Sequence, residues 1–158
     1  MKILLKIIGA ILVCLVLLLG VLRITGLNPH NRTPGLWLTG DPVTTPVTDW
    51  SFTDSFPNVE LQTQGQFLPH SVTINCVAYN SQLYVTSTYP AGPPRAWNAN
   101  IMRDPRVRIK IGDKLYDRTA VAVTDPAEIA SVMQAKMKKY PQQKIAPNAV
   151  VHVFHIVG

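Results

Sequence analysis

The residues best suited to chemistry gather in the middle of the chain. Arg95 closes a Gly/Pro-rich loop, TYPAGPPRA, and Trp97-Asn98 follows at once; Asp104-Pro105 then opens a basic alternating run, RVRIKIG. Upstream, His70-Ser71 opens one β-rich stretch and Thr86-Ser87 lies near the end of the next. A cation beside loop amides can hold an anion, and an exposed helix-start arginine is the equally ordinary reading of Arg95. Trp97 with Ile101 at i+4 reads first as a core stripe. Neither a carboxylate pair nor a Ser-His-Asp or Cys-His arrangement stands in register, so hydrolysis finds no support. His152 and His155 lie three apart on an expected strand and therefore point to opposite faces, which argues against a shared metal. The two cysteines, Cys14 and Cys76, build neither a disulfide framework nor a zinc site. Cys76, within VTINCVAY, reads as a small buried hydrophobe.

Short strands must position these groups. NVELQTQG alternates Val59, Leu61 and Thr63 against polar residues. HSVTINCVAYNSQLYVTST reads as two β-rich runs, Ser71–Tyr79 and Gln82–Thr88, folded into a hairpin at Asn80-Ser81. RVRIKIG puts Val107, Ile109 and Ile111 on one face and Arg106, Arg108 and Lys110 on the other. The basic face is a solvated surface in the plain reading and an attractor for anionic headgroups in the sharper one. Gly112-Asp113 turns into KLYDRTAVAVT, a second hairpin. A helix follows, with Asp125 as N-cap, Pro126 at N1 and Glu128 at capping-box spacing. Ile129, Val132, Met133 and Met137 recur at helical spacing, and Lys136, Lys138 and Lys139 occupy the last turn, where cations suit the helix dipole. Tyr140-Pro141 ends it, and Ala149–Val157 is the last strand. About six antiparallel strands with two helices predict a mainly β fold, a small closed or nearly closed barrel.

The chain starts differently. Ile7–Leu22 is an unbroken apolar run of sixteen, and Ile3, Leu4 and Leu5 extend it to about twenty, enough to cross a ~30 Å hydrocarbon core. No small-x-small cleavage pattern follows, so residues 3–23 are expected to stay as a transmembrane anchor. Lys2 and Lys6 against Arg23 and Arg32 lean toward an inside N-terminus, which places the folded domain on the extracytoplasmic side of the cytoplasmic membrane. Residues 24–57 read as a Pro/Thr-rich linker, in which Trp37 suits either a membrane interface or packing on the domain; residues 58–158 form the domain. The net charge of +6 is largely an anchor effect, since residues 33–158 hold eleven Lys/Arg against nine Asp/Glu. No nucleic-acid partner is expected.

From Thr86-Ser87 through TYPAGPPRA, Trp97-Asn98, Asp104-Pro105 and the Gly112-Asp113 turn, the chain resembles the FMN-binding split-barrel superfamily, which includes pyridoxamine 5′-phosphate oxidases and deazaflavin-dependent nitroreductases. The DPAEIASVMQAKMKKYP helix and the PNAVVHVFHI strand also fall where that superfamily has its long helix and final strand, and the resemblance covers roughly Leu61 to Val157. It implies Arg95 at a cofactor phosphate, His70, Ser71, Thr86 and Ser87 along the strands lining FMN or a deazaflavin, and Trp97 and Asn98 on the adjoining short helix. It assigns no catalytic side chain, because the flavin carries the redox chemistry. QTQGQFLPHSV has one Gly and no Lys or Arg where the deazaflavin enzymes carry a Gly-Arg-Lys-Ser-Gly-type loop. His70 is the nearest counterpart of the oxidases' phosphate-binding strand arginine. Taken with the anchor, the resemblance implies a membrane-anchored, FMN- or deazaflavin-dependent oxidoreductase-like protein that reduces a small hydrophobic or quinone-like acceptor, commonly as a homodimer with cofactor at the interface. The alternative is a cofactor-free barrel serving as accessory subunit of a membrane assembly.

Overall fold

A computed structural model describes residues 2–158. Helix α1, Lys2–Thr25, is long and apolar enough to cross a membrane, and none of its residues is buried against the rest of the chain. The chain then doubles back. Leu27 N–H donates to the Trp37 carbonyl at 2.9 Å, Leu36 N–H returns to Leu27 at 2.8 Å, and Gly35 exchanges two backbone hydrogen bonds with Ser71. Only glycine permits that approach: a Cβ on Gly35 would collide with the Leu27 carbonyl oxygen and sit 2.6 Å from Ser71 Oγ. The rest of the linker also packs on the domain. Leu38 and Trp50 are each 3% exposed, and Leu38 N–H donates to Gln62 Oε1 at 2.7 Å.

The remaining elements are β1 (Asp41–Pro42), a 3₁₀ turn (Ser51–Ser55), β2 (Val59–Thr63), β3 (His70–Ile74), β4 (Cys76–Tyr79), β5 (Gln82–Tyr89), α2 (Ala96–Arg103), β6 (Arg106–Ile111), β7 (Lys114–Ala122), α3 (Pro126–Lys139) and β8 (Val150–Val157). The strands form one curled sheet in the order β3-β2-β6-β7-β8-β5-β4, antiparallel throughout, with β1 added in parallel to β7. Its first and last strands, β3 and β4, are separated in sequence by Asn75 alone. The barrel is therefore joined through the chain at that point and split alongside it.

This corrects one expectation. Ser71–Tyr79 is not a single hairpin arm; it breaks at Asn75, so that His70–Ile74 pairs with β2 and only Cys76–Tyr79 pairs with β5. The bend lets one run serve both edges of the curled sheet, which straight alternation does not reveal. The expected turn is present, with Asn80 and Ser81 both left-handed (φ 49° and 61°), as a two-residue hairpin turn of the primed type requires.

Inward-facing Leu61, Val107, Ile109, Ile111, Val85, Phe154 and Ile156 fill the barrel together with Trp50, Trp97 and Ile101. A second cluster, Val77, Tyr84, Val132 and Val153, packs α3 on the opposite face of β4, β5 and β8. Asp125 caps α3, its carboxylate accepting from Ala127 N–H at 3.1 Å. Glu128 does not close a capping box; it accepts from the Tyr84 hydroxyl at 2.9 Å and ties the helix to β5. Burial, then that carboxylate, pushes the Tyr84 hydroxyl up to about 12. Cys76 is 1% exposed, and burial pushes its thiol up.

Candidate functional site

The split leaves two strand edges short of partners. Pairing of β5 with β4 stops at Val85, so Thr86–Tyr89 pairs with β8 alone. β3 has β2 on one side and, on the other, only the Gly35 bridge at Ser71. Backbone groups alternate sides along a strand, so Thr73, two residues beyond Ser71, turns its amide and carbonyl toward that same open edge. Between the edges lies a cavity of about 640 Å³, lined by β3, the Asn75 bend, Thr86–Thr88, the start of α2, Lys136 and Gln143, and Asn31–Pro34 of the hairpin that follows α1.

Five of the seven residues implied by the resemblance meet here: His70, Thr86, Ser87, Arg95 and Trp97. Arg95 is the exposed N-cap residue of α2. Trp97 serves both readings at once, walling the cavity while its ring centre stands 5.8 Å from that of Phe154 in the core. Burial pulls the His70 imidazole below its ordinary value, which favours its neutral form. Ser71 and Asn98 do not line the cavity. Both are 0% exposed; Ser71 faces the Gly35 hairpin, and Asn98 Nδ2 lies 3.4 Å from His152 Nδ1. His155 stacks on Tyr84 instead, so the two histidines do occupy different faces.

Sequence reasoning missed Lys136. It is 2% exposed, its Nζ donates to Thr88 Oγ1 at 3.3 Å, and burial pulls its ammonium below the ordinary lysine value. The signal was present: Ile129, Val132 and Met133 stand seven, four and three residues before it, which places Lys136 on the apolar stripe of α3 rather than merely near its end. Arg32, from the supposed linker, was missed as well. Arg32, Arg95 and Lys136 thus line one cavity whose wall holds no Asp or Glu. None of the three makes an ion pair among the described residues. Thr86 Oγ1 and Ser87 Oγ are buried without hydrogen-bond partners, an uncommon condition in a folded protein.

The basic face of β6 behaves otherwise. Arg106 pairs with Asp104 at 2.6 Å and Arg108 with Asp117 at 2.6 Å, so those arginines are matched locally and form no free patch. The cavity, by contrast, keeps its three cations free of acidic partners among the described residues. Its volume falls in the range of small-molecule sites, about 300–1,000 Å³. Its cations suit a phosphate, and its open strand edges suit the polar rim of a flat heterocycle.

No family model and no curated protein matches the sequence. Solved structures do match. A pyridoxamine 5′-phosphate oxidase, so described provisionally, from Listeria innocua aligns over 66% of this chain and 85% of its own, with TM-score 0.51 and 17% identity. An F420-H2 dependent reductase aligns over 64% and 94%, with TM-score 0.50 and 21% identity. A chain described as a domain-swapped dimer aligns over 64% and 80%, with TM-score 0.52 and 21% identity. The chain has the split-barrel fold that these structures share, preceded by an apolar helix.

Proposed function

We propose that this chain is a membrane-anchored split-barrel protein that holds a flavin mononucleotide or a deazaflavin in the seam cavity and delivers reducing equivalents to a small hydrophobic acceptor. The observation that carries this reading is the cavity itself: three cations without acidic partners and no carboxylate, between two strand edges that are short of partners. A bound flavin or deazaflavin would supply hydride chemistry. The chain's own residues bind and orient. Arg95, Lys136 and Arg32 hold the phosphate; the strand at Thr86-Ser87 and the open edge of Thr73 meet the polar rim of the ring. Trp97 forms an apolar wall, and neutral His70 offers one donor and one acceptor. Residues 3–23 anchor the protein, and the barrel stands on the extracytoplasmic side. The resemblance to a domain-swapped dimer supports a homodimer, in which a second copy would close the open side of the cavity.

The test is direct. The full chain, purified in mild detergent, is expected to carry the visible absorbance of a flavin or deazaflavin, or to take up added FMN. At a hundredfold excess over Kd, one bound cofactor adds about 2.7 kcal/mol to stability, an easily measured rise in Tm. No absorbance and no rise with either cofactor would overturn the reading and leave the accessory-subunit role standing.

A further inference from the structure

The loop between β2 and β3, Gln64–Pro69, carries the most exposed large hydrophobic side chain among the described residues: Phe67 is 90% exposed, and Leu68 beside it 39%. The loop is not a loose flap. A Cβ on Gly65 would collide with the Leu68 carbonyl oxygen, so the turn is folded tightly on itself. Arg103 of α2 donates to the Gln64 carbonyl and braces the loop from below. Met102, next to that arginine, is 65% exposed. These side chains stand where the anchor leaves the barrel. Gln64 lines a second cavity, of about 430 Å³, together with Arg23 of the last turn of α1 and Trp37 of the hairpin. The Arg23 guanidinium lies 5.8 Å from the Trp37 ring centre. Because α1 buries no residue against the barrel, it must project outward at this end. Neither Arg23 nor Arg103 pairs with a carboxylate among the described residues.

An apolar tip with basic neighbours, beside an indole and the mouth of a membrane helix, matches the physics of an interfacial contact. Apolar side chains settle about 5–10 Å into the headgroup boundary, and nearby cations favour anionic lipid. We infer that the Phe67–Leu68 loop is a second membrane contact, inserted into the surface of the same bilayer that α1 crosses. The inference rests on the anchor in the proposed function and not on the cofactor. It has a direct consequence for the seam cavity: His70, two residues after Leu68, lines that cavity, so the β3 edge is brought to the lipid surface. An acceptor dissolved in the bilayer then reaches the site without crossing water.

The experiment uses the full chain with Cys14→Ser, reconstituted into vesicles of phosphatidylcholine and phosphatidylglycerol. An environment-sensitive nitrobenzoxadiazole label is placed in turn at Phe67→Cys, at Leu68→Cys, at Leu12→Cys within α1, and at Asp113→Cys in the turn at the opposite end of β6. Circular dichroism checks each variant, and Leu68→Cys stands in if Phe67→Cys folds poorly. Expected is a blue shift at position 67 or 68 with loss of emission when shallow spin-labelled lipid is added, and quenching at position 12 by lipid spin-labelled deep in its acyl chain, while position 113 stays aqueous and unquenched by either. Quenching at position 12 with an aqueous signal at 67 and 68 would overturn the inference and leave the anchor intact. Lack of quenching at position 12 would remove the anchor and the inference together. A dry label at 67 that lipid does not quench, or that cross-links between copies, would assign the loop to a dimer interface and overturn the membrane contact.

Discussion

Lys136 sits where a positive charge is costly, nine-tenths and more out of water and served by one neutral hydroxyl. An ammonium buried without a counter-ion lowers stability unless an anion arrives. Replacing it by methionine should therefore raise the Tm of the ligand-free protein, by the equivalent of about 1 kcal/mol or more, and weaken FMN at least about tenfold, since a hydrogen bond to a charged group contributes about 1.5–3 kcal/mol. Thermal melts with and without FMN measure both. The pH dependence follows from the direction of the shift. The folded-state value lies below 10.5, so between the two values the unfolded chain binds more protons and stability climbs with rising pH. That climb, read as Tm against pH on the alkaline side, should flatten in Lys136→Met and in the FMN-loaded protein. Arg95→Ala makes the contrast: Arg95 is exposed, so Tm without ligand should hold while FMN affinity drops about tenfold or more, as isothermal titration would show.

At the scale of elements, the hairpin that follows α1 and the cap of α3 carry separable costs. Gly35→Ala drives a methyl group into the Leu27 carbonyl and Ser71, and overpacking of this kind costs about 1–3 kcal/mol. Amide exchange at Ser71 should speed up, because its N–H is held by Gly35. Asp125→Ala removes one cap at a cost of about 1 kcal/mol, and urea melts should show that loss with Ser71 exchange unchanged. The same elements show what a sequence discloses. The Asn80-Ser81 turn, the β6–β7 alternation and the Asp125-Pro126 start are local chemistry and could be read directly. The bend at Asn75 could not, because it answers to which strand lies beside each half, and those partners come from residues 59–63 and 82–85. Five site residues were legible as neighbours on strands and loop. Arg32 was not, since only a fold-back through Gly35 brings a linker arginine to the cavity. Lys136 was legible by spacing but masked by its chemical type.

For the molecule as a whole, the proposed function has α1 set the address and the barrel the chemistry. An arginine at the middle of a membrane helix costs about 2.5–3.5 kcal/mol, so Leu12→Arg should move a measurable share of the protein into the supernatant of an alkaline membrane wash, while the native chain stays in the pellet. The join between the two parts carries a mechanical consequence. Gly35 is locked to β3, Leu38 to Gln62 and Thr39 to Asn28, so only a few residues after Thr25 separate the helix from a fixed framework. The barrel is a head on a short rigid neck and not a ball on a rope. With α1 across a bilayer as proposed, the height and heading of the barrel follow the helix, rotation about the membrane normal is the one large freedom left, and encounters with partners become a search in two dimensions with the same face always presented.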